Sequence, residues 1–275
     1  MKLGLYLRNM GPASTRDTLL ACARGAEAEG VDDLWVADHV AIPPDDAEGS
    51  NGRYLDPLAT LAWLAGATER IALGTGVLVL PYRPPLATAK WIATIQELSR
   101  GRVLFGVGVG WMKPEFRVVG VPFAERAAVS DATLAFIDRC FAGDEVEANG
   151  QRFLFRPRPD RPPLFVGGAA PHAIHRAIRF GGGWMPMGSD PATLAEPIGL
   201  LREGATAAGR PTPPEVALIT GLDLDDLDRA QEQVREFAAV GVTRIVQGFR
   251  YTDAAPFLAA AAKLGRLRAR LGSEV

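Results

Sequence analysis

The sequence predicts an α/β fold in which eight parallel strands alternate with eight helices, the closed (β/α)8 or TIM barrel. Eight short apolar segments recur along the chain, and each is followed by a segment with the apolar spacing of a helix. The strand segments lack polar alternation, which is typical of parallel strands covered on both faces. An open doubly wound sheet fits less well, because it usually has about six strands and a glycine-rich loop after the first one. Residues 8–12 do not form such a loop.

The first two strand and helix units occupy the N-terminal part of the chain. Lys2 to Leu7 (KLGLYL) is predicted to be a strand, and Thr15 to Glu29 has apolar residues at helical spacing. Asp33 to Ala37 (DLWVA) is the second strand. A polar loop at 43–53, rich in turn-forming residues, leads to a helix that begins near Pro57.

The third and fourth units contain the longest apolar runs. The segment from Ile71 to Leu80 is a strand that Gly74 and Gly76 interrupt, and a crossover helix extends to Leu98. Glycine inside a strand lets the chain bend or lets another group approach the backbone closely. The fourth strand begins at Val103.

An insertion separates the fourth and fifth strands, approximately at residues 112–162. It contains a helix from Glu125 to Phe141 and the segment Glu145 to Phe155, which has Asn149-Gly150 near its centre. An Asn-Gly pair between short apolar flanks is a strong signal for a β-hairpin. We therefore predict a small hairpin outside the main sheet, within a single domain at residues 1–275.

The regular alternation resumes at Pro163 and continues to the C-terminus. Strands are predicted at Leu164–Val166, Gly183–Met187, Val216–Thr220 and Thr243–Gln247, and helices at Pro171–Phe180, Pro191–Ala208, Asp226–Val240 and Ala255–Leu271. These four units complete the count of eight, with right-handed crossovers throughout.

The composition excludes several classes of function. The chain has 275 residues, which suits one barrel of about 250 residues. Its 32 acidic and 30 basic residues give a net charge of −2, so neither nucleic acid nor an anionic membrane is an expected partner. Cys22 and Cys140 cannot form a disulfide framework, which favours a reducing compartment. No charged leader or long apolar segment is apparent, and we expect a cytoplasmic protein that does not span a membrane.

Catalytic groups of such a barrel lie at the carboxyl ends of the strands, where this sequence has few titratable residues. Asp38 and His39 follow the second strand and are the only evident pair there. Both other histidines, His172 and His175, fall on one predicted helix, so we expect no metal centre built from strand-end ligands. A purely structural interpretation, in which Asp38 and His39 only join loops by hydrogen bonds, stays open.

The other strand ends are rich in aromatic residues and glycine. Aromatic side chains at strand ends predict a largely apolar pocket over a flat ring. They are Tyr6, Tyr82, Trp184 and Phe249. Gly106, Gly108 and Gly110 lack the spacing of a dinucleotide-binding loop and favour close approach of the backbone to a cofactor.

Gly167 and Gly168 lie directly before a predicted helix. A helix N-terminus offers backbone N–H groups to an anion, which makes this turn a candidate phosphate site. The alternative is a plain tight turn from strand to helix. Likewise, Gly74 and Gly76 could serve only to bend their strand.

Four segments of the barrel carry motifs that occur together in one family. They are LWVADHV at 34–40, RIALGTGVLVLPYRPP at 70–85, GRVLFGVGVGWMKPEF at 101–116 and PLFVGGAAPHAIHRAIRFGGGWMP at 163–186. In this order they resemble the bacterial-luciferase-like superfamily of flavin- and deazaflavin-dependent oxidoreductases. Within it, the chain is most similar to the branch that uses coenzyme F420. The resemblance implies a TIM barrel, an oxidoreductase and a homodimer.

The resemblance also implies roles for particular residues. It places a non-proline cis peptide at Gly76-Val77, against the back of the flavin-like ring, and it brings Asp38 and His39 into the active site. His39 then lies near the reacting carbon of the ring, where a histidine can move a proton near neutral pH. The implied cofactor-binding residues are Asp38, Gly76, Val77, Gly106, Gly108, Gly110, Gly167, Gly168 and Ala169.

The sequence departs from the family pattern at Trp111, at Ala169 to Pro171, and at Gly182, where related chains often have an Asp. Trp111 stands where sugar-phosphate dehydrogenases of the family have a proton-donating glutamate, which argues against a sugar-phosphate substrate. We assign Trp111 to the substrate pocket together with Tyr6 and Phe249. Ala169 stands where related chains often have a hydroxyl residue, so the backbone would hold most of the phosphate.

These observations predict an enzyme that transfers a hydride between F420 and a small organic substrate, with His39 and Asp38 as catalytic residues. The first alternative is an FMN-dependent luciferase-like monooxygenase. The second is a barrel that binds F420 or a flavin without catalysing turnover. Fold analogy by itself does not separate these three functions.

Overall fold

The computed structural model describes residues 1–272, so the last three residues of the predicted domain lie outside the described part. The strands are β1 Lys2–Tyr6, β2 Asp33–Val36, β3 Ala72–Thr75, β4 Leu78–Val79, β5 Val103–Gly108, β6 Glu145–Ala148, β7 Gln151–Leu154, β8 Leu164–Gly167, β9 Gly183–Met185, β10 Ala217–Thr220 and β11 Arg244–Gln247. The helices are α1 Arg16–Ala28, α2 Pro57–Ala67, α3 Pro85–Leu98, α4 Lys113–Val119, α5 Arg126–Ala142, α6 His172–Arg179, α7 Ala192–Ala207, α8 Leu227–Val240 and α9 Ala254–Gly272.

Parallel strands form a nearly closed barrel with the helices around it. The hydrogen-bonded order is β10-β11-β1-β2-β3-β5-β8-β9. The short strand β4 continues the third barrel strand after β3 and also pairs with β5. Strands β9 and β10 meet through two isolated parallel bridges, Trp184 with Val216 and Met187 with Ile219. The predicted (β/α)8 barrel is therefore confirmed.

Capping residues account for several helix boundaries. The Thr15 side chain accepts a hydrogen bond from the Thr18 N–H at the start of α1. At the start of α2, the Asp56 side chain accepts one from the Ala59 N–H. Pro57 occupies the first position of α2, where its missing N–H costs nothing. Gly241 ends α8 in the left-handed conformation, with φ of 106°.

The third strand is interrupted where the sequence has its two glycines. Strand β3 ends at Thr75, strand β4 begins at Leu78, and the Gly76-Val77 peptide between them is cis. The prediction of a non-proline cis peptide at this position is confirmed. The sequence predicted a strand from Ile71 to Leu80 that Gly74 and Gly76 interrupt, and the structure divides it into β3 and β4 on either side of Gly76-Val77.

The insertion between β5 and β8 contains the predicted hairpin and one helix that the sequence analysis did not predict. Asn149 and Gly150 have φ values of 51° and 75° in the turn between β6 and β7, as a two-residue hairpin turn requires. The unpredicted helix is α4, which has only 7 residues and ends at Gly120 with φ of 74°. Its short length gives too few turns for a helical pattern to be recognised.

The barrel interior is filled by large side chains at its centre and by an ion pair at the amino ends of the strands. The Trp35 and Phe165 rings meet edge to face, with centroids 5.5 Å apart. The Trp35 Nε1–H donates to the Asp33 carboxylate, which also pairs with Arg244. A Cβ atom at Gly4 of β1 would overlap the Asp33 carboxylate, so this strand can cross the ion pair only with glycine there.

Two further properties concern the described residues as a whole. Over residues 1–272, no helix combines the length and the apolar character that crossing a bilayer requires. Within the same residues, no cluster of three or more His, Cys, Asp or Glu side chains is arranged to hold a metal ion. Cys22 and Cys140 are buried and not joined in a disulfide.

Candidate active site

A cavity of about 740 Å³ opens at the carboxyl ends of the barrel strands. Most of the predicted site residues line it. These are Tyr6, Asp38, His39, Gly76, Val77, Gly108, Gly110, Trp111, Gly167, Gly168 and Ala169. Its remaining wall is largely apolar and includes Met185, Leu194, Pro197 and Ile219. The size is that of an ordinary small-molecule site.

Asp38 and His39 both reach the cavity, although consecutive strand residues point to opposite faces. Strand β2 ends at Val36, before the pair, so strict alternation no longer applies. The two residues therefore lie on the loop after β2.

The His39 imidazole is held from one side by a carboxylate. Its Nδ1 lies 2.8 Å from the Glu115 Oε2, and its side chain is 18% exposed. Because an ionised carboxylate only accepts hydrogen bonds, Nδ1 must be the donor, which leaves Nε2 to accept or release a proton. The Tyr54 ring packs 4.9 Å from the imidazole, and the Trp111 ring lies 6.1 Å away, edge to face.

Glu115 is the functional residue that the sequence analysis missed. Its side chain is 0% exposed, and it lies in the first turn of α4. Its Oε1 accepts from the Val40 N–H at 2.6 Å and the Ala41 N–H at 2.9 Å, and its Oε2 accepts from the Tyr82 hydroxyl at 2.9 Å. Burial raises the pKa of Glu115, but hydrogen bonds from His39, these two amides and Tyr82 outweigh it and lower the pKa to about 2. Glu115 is therefore an anion behind His39 at neutral pH.

Asp38 is fixed in an ion pair. The Arg83 guanidinium donates to both of its oxygens, at 2.6 and 2.8 Å, and the Val79 N–H donates to Oδ2 at 2.8 Å. Arg83 also reaches Asp56 at 2.6 Å. Burial raises the pKa of Asp38, and the hydrogen bonds and charge of Arg83 oppose that rise. We assign the ionised form to Asp38, because a bidentate guanidinium pair stabilises the carboxylate.

The cis peptide forms part of the cavity wall and is held from both sides. The Tyr6 hydroxyl donates to the Gly76 carbonyl at 2.5 Å. The Val77 side chain packs against β5 and β8, where a Cβ atom at Gly108 would lie 2.5 Å from it and one at Gly167 would lie 2.7 Å from it. These two glycines thus leave room for a protein side chain, whereas the sequence analysis had explained Gly108 by contact with a cofactor.

Gly106 and Gly110 also have neighbours within the protein. A Cβ atom at Gly106 would overlap the Thr75 carbonyl, and the Thr75 hydroxyl donates to the Gly106 carbonyl at 2.6 Å. A Cβ atom at Gly110 would lie 2.7 Å from Val79 and 2.8 Å from Phe116. Gly106 lies below the cavity and is not among the described residues that line it.

The turn after β8 is open to the cavity. Gly168 has φ of 117°, and its carbonyl accepts a hydrogen bond from the Trp184 Nε1–H at 2.9 Å. The turn passes through a cis Ala170-Pro171 peptide into α6. Gly168 and Ala169 are exposed at the cavity rim, where a ligand can reach their backbone.

Phe249 lies away from the cavity to which the sequence analysis assigned it. Its ring packs on Tyr251, with centroids 5.2 Å apart, and stacks with Phe257 at 6.3 Å. Within residues 1–272 the cavity lining does not include it. Aromatic residues at a strand end can turn outward to the helix layer, and Phe257 of α9 provides that layer here.

Comparison with known proteins identifies the class. A barrel with a carboxylate-supported histidine and a backbone-walled cavity at its carboxyl end agrees with the oxidoreductase superfamily that the motifs resemble. The chain belongs to the luciferase-like monooxygenase family, whose model matches residues 2–272.

Individual relatives give further detail. An uncharacterized protein of Mycobacterium tuberculosis is 31% identical over 248 residues, which cover 83% of each chain. The F420-dependent hydroxymycolic acid dehydrogenase of the same organism is 30% identical over 203 residues, 70% of this chain and 55% of the dehydrogenase. The monooxygenase RslO1 from Streptomyces bottropensis has a similar structure, with a TM-score of 0.81 and 21% identity over the full length of both chains.

Proposed function

We propose that this protein is an oxidoreductase that transfers a hydride between coenzyme F420 and a small organic substrate. The observation that carries the proposal is the pairing of His39 with the buried Glu115 at the edge of a cavity walled partly by backbone. The similarity to an F420-dependent dehydrogenase supports the choice of cofactor.

The residues of the cavity fit a flat ring system with an anionic tail. Gly76 has no side chain and Val77 packs against Gly108 and Gly167, so the wall between β3 and β4 presents little side-chain bulk. The exposed Gly168 and Ala169 would hold the phosphate through their backbone. The apolar remainder of the wall excludes water from the reacting atoms.

When bound, F420 supplies or accepts a hydride at a ring carbon, so the protein has to provide orientation and one proton. His39 would provide the proton through Nε2, since Nδ1 is held by Glu115. Asp38 is held by Arg83 and Val79, and it would orient the loop that carries His39. In this arrangement Asp38 is a positioning residue, and His39 is the catalytic residue.

The test is a direct comparison of cofactors. The purified protein is titrated with F420 and with FMN at micromolar concentration, and binding is followed by cofactor fluorescence. Candidate alcohols, ketones and enones are then added to the protein loaded with oxidised or reduced F420. Hydride transfer changes the visible absorbance of the cofactor, whereas a barrel that only binds F420 changes its fluorescence alone. Binding of FMN but not F420 would overturn the proposal.

An FMN-dependent monooxygenase is the second candidate, and membership of the luciferase-like monooxygenase family favours it. This function predicts oxygen consumption by the FMN-loaded protein when a reductant and a substrate are present. The F420 enzyme predicts no such consumption, because reduced deazaflavin transfers electrons as hydride and reacts poorly with oxygen.

A further inference from the structure

The side chains that line the cavity offer no cation to a negatively charged ligand. In the part of the chain that the structure describes, neither a lysine nor an arginine is among them. Asp38 lines the cavity as a carboxylate and is paired with Arg83. Any positive charge on His39 is balanced by Glu115 at 2.8 Å. An anionic group of a substrate would therefore lose its hydration without meeting a free cation, which is costly.

One side of the cavity is a continuous apolar surface, which we call the apolar wall. It consists of Met185, Met187, Leu194, Pro197 and Ile219, from β9, the loop after it, α7 and β10. Met185 is 1% exposed, Ile219 and Pro197 are half-buried, and Met187 is 78% exposed. The apolar wall therefore extends from the protected interior to solvent, so that a ligand lying on it can be longer than the cavity is deep.

Backbone hydrogen bonds hold the apolar wall in place. The Ile219 N–H donates to the Pro186 carbonyl at 3.0 Å, and Met187 forms a parallel bridge with Ile219. Thr193 brings a polar side chain to this side of the cavity, but its hydroxyl already donates to the Asp190 carbonyl at 2.8 Å. The wall can therefore recognise a ligand by shape and apolar contact, with at most one hydroxyl oxygen as an acceptor.

The apolar wall lies across the cavity from Gly76 and Val77. In the ring of eight strand positions, β10 is four positions from β3, and β9 is three positions from it. His39 follows β2, which is the neighbour of β3, so its imidazole lies beside the space between the two walls. A flat ring on Gly76 and Val77 would therefore turn its open face towards the apolar wall.

We propose that the apolar wall is the substrate subsite, and that its substrates are uncharged molecules with a hydrocarbon body. This inference rests on the proposed function for the position of the cofactor ring. A molecule that exchanges a hydride with the ring has to lie on the ring's open face, and there it contacts the apolar wall. Removal of its methylene groups from water supplies the affinity, and the absence of a free cation from the described lining disfavours organic acids.

The experiment compares neutral and charged probes of the same shape and then varies their length. Hexanamide and hexanoate are titrated at pH 7 by calorimetry, with the cofactor-free protein and with the protein loaded with oxidised F420. We expect hexanamide to bind about 10- to 100-fold more tightly than hexanoate, because only the acid brings an uncompensated charge. From butanamide to octanamide, affinity should rise by about 2- to 4-fold for each added methylene.

Two substitutions place the binding on the apolar wall. Ile219→Ala should weaken octanamide binding by about 3- to 20-fold and change F420 affinity by less than about 2-fold. Met187→Lys should narrow the preference for hexanamide over hexanoate by about 2- to 5-fold, as an exposed ion pair implies. Leu154→Lys is the matched control, because Leu154 is 67% exposed on the hairpin strand β7, and it should leave the preference unchanged.

Several results would overturn the proposal. They are hexanoate binding as tightly as hexanamide, no gain in affinity with chain length, and no binding of octanamide at millimolar concentration. Loss of F420 affinity in Ile219→Ala with unchanged octanamide binding would assign the apolar wall to the cofactor instead.

Folding and cofactor chemistry do not confound this test. The wild-type comparisons need no variant, and Met187→Lys changes an exposed side chain. The amides are measured without turnover. If the protein binds FMN and not F420, the proposed function fails, and the same titrations with the FMN-loaded protein still decide whether the apolar wall takes uncharged molecules.

Discussion

At the scale of single residues, His39 and Glu115 form the unit on which the chemistry depends. The two residues are 76 positions apart in sequence and meet because the loops after β2 and β5 close over the same cavity. Glu115 fixes the ring through Nδ1 and binds the two amides that follow His39 in the chain. The buried Glu115 carboxylate thus holds both the His39 side chain and the loop that follows it.

Replacing the histidine tests its role. His39→Ala should lower the single-turnover rate of reduced F420 oxidation by about 100- to 10,000-fold, the usual effect of losing a general acid or base. F420 affinity should change far less, because the wall and the turn after β8 remain. His175→Ala, on the exposed side of α6, is the matched control and should leave the rate unchanged. An unchanged rate in well-folded His39→Ala protein would remove His39 from the mechanism.

Glu115→Gln should lower turnover by about 10- to 100-fold, which corresponds to the loss of one hydrogen bond to a charged group. The amide keeps the shape of the side chain but no longer accepts at both oxygens. Tyr82→Phe removes a different hydrogen bond of Glu115 and leaves the His39 contact intact, so its effect on turnover should be smaller. Equal loss in the two variants would show that Glu115 supports only the fold of the loop.

The acid stability of the protein should report the charge of Glu115. Its pKa is lowered from 4.5 to about 2, so the carboxylate stabilises the fold fully above pH 4.5 and progressively less as the pH falls towards 2. The difference in unfolding free energy between the wild type and Glu115→Gln should therefore be constant from pH 7 to 5 and shrink below 4.5. Urea unfolding across this range measures it. A difference that stays constant down to pH 3 would contradict the ionised buried carboxylate.

Sequence patterns located the site but not its hydrogen bonds. Asp38 and His39 were recognisable because they follow a strand, which is where barrel chemistry lies. Glu115 was not recognisable, because in the sequence a single glutamate in a short helical turn looks like any exposed carboxylate. Its contact with His39 is present only in the folded structure. Phe249 was assigned to the pocket because it follows a strand. The side to which its ring turns depends on α9, a helix that the local sequence pattern does not relate to it.

At the scale of elements, the interrupted third strand depends on a glycine of its neighbour β5 and a glycine of β8, the strand beyond β5. Gly108 of β5 and Gly167 of β8 leave space for the Val77 side chain beside the cis peptide. The motifs predicted this cis peptide and the glycines predicted an interruption, but the pattern did not predict that the strand ends at Thr75 and begins again at Leu78. The apolar pattern indicates that a segment is buried. It does not indicate where the hydrogen-bonded pairing with a neighbouring strand is interrupted.

Gly108→Ala should displace Val77 and distort the cavity wall. The added Cβ atom would lie 2.5 Å from Val77, closer than atoms can pack, and overpacking of this kind typically costs about 1–3 kcal/mol. F420 affinity in a fluorescence titration should fall together with stability. Gly66→Ala is the control, because its Cβ atom on α2 would meet nothing within 4 Å. It should raise stability by about 0.5–1 kcal/mol and leave F420 affinity unchanged.

At the scale of the whole molecule, the count of alternating segments predicted the barrel before any contact was known. What the count could not predict is how the interior is filled, since this depends on side chains from opposite strands. The Asp33 carboxylate of β2 reaches Arg244 of β11 past Gly4 of the intervening strand. The homodimer implied by the family resemblance stays a prediction, which light scattering at micromolar concentration would test.

The Asp33 and Arg244 pair should be the most sensitive point of the barrel. Asp33→Asn keeps an acceptor for the Trp35 Nε1–H but leaves Arg244 buried without its main counter-charge, which we expect to cost about 3–5 kcal/mol. Glu215→Gln is the control, because Glu215 contacts the same guanidinium at 3.1 Å but is 44% exposed, and its loss should cost at most about 1 kcal/mol. Urea unfolding of the two variants at pH 7 measures both values. Equal costs would mean that the ion pair inside the barrel contributes no more than a surface contact, and the apolar layer around Trp35 and Phe165 would then be what holds the strands in register.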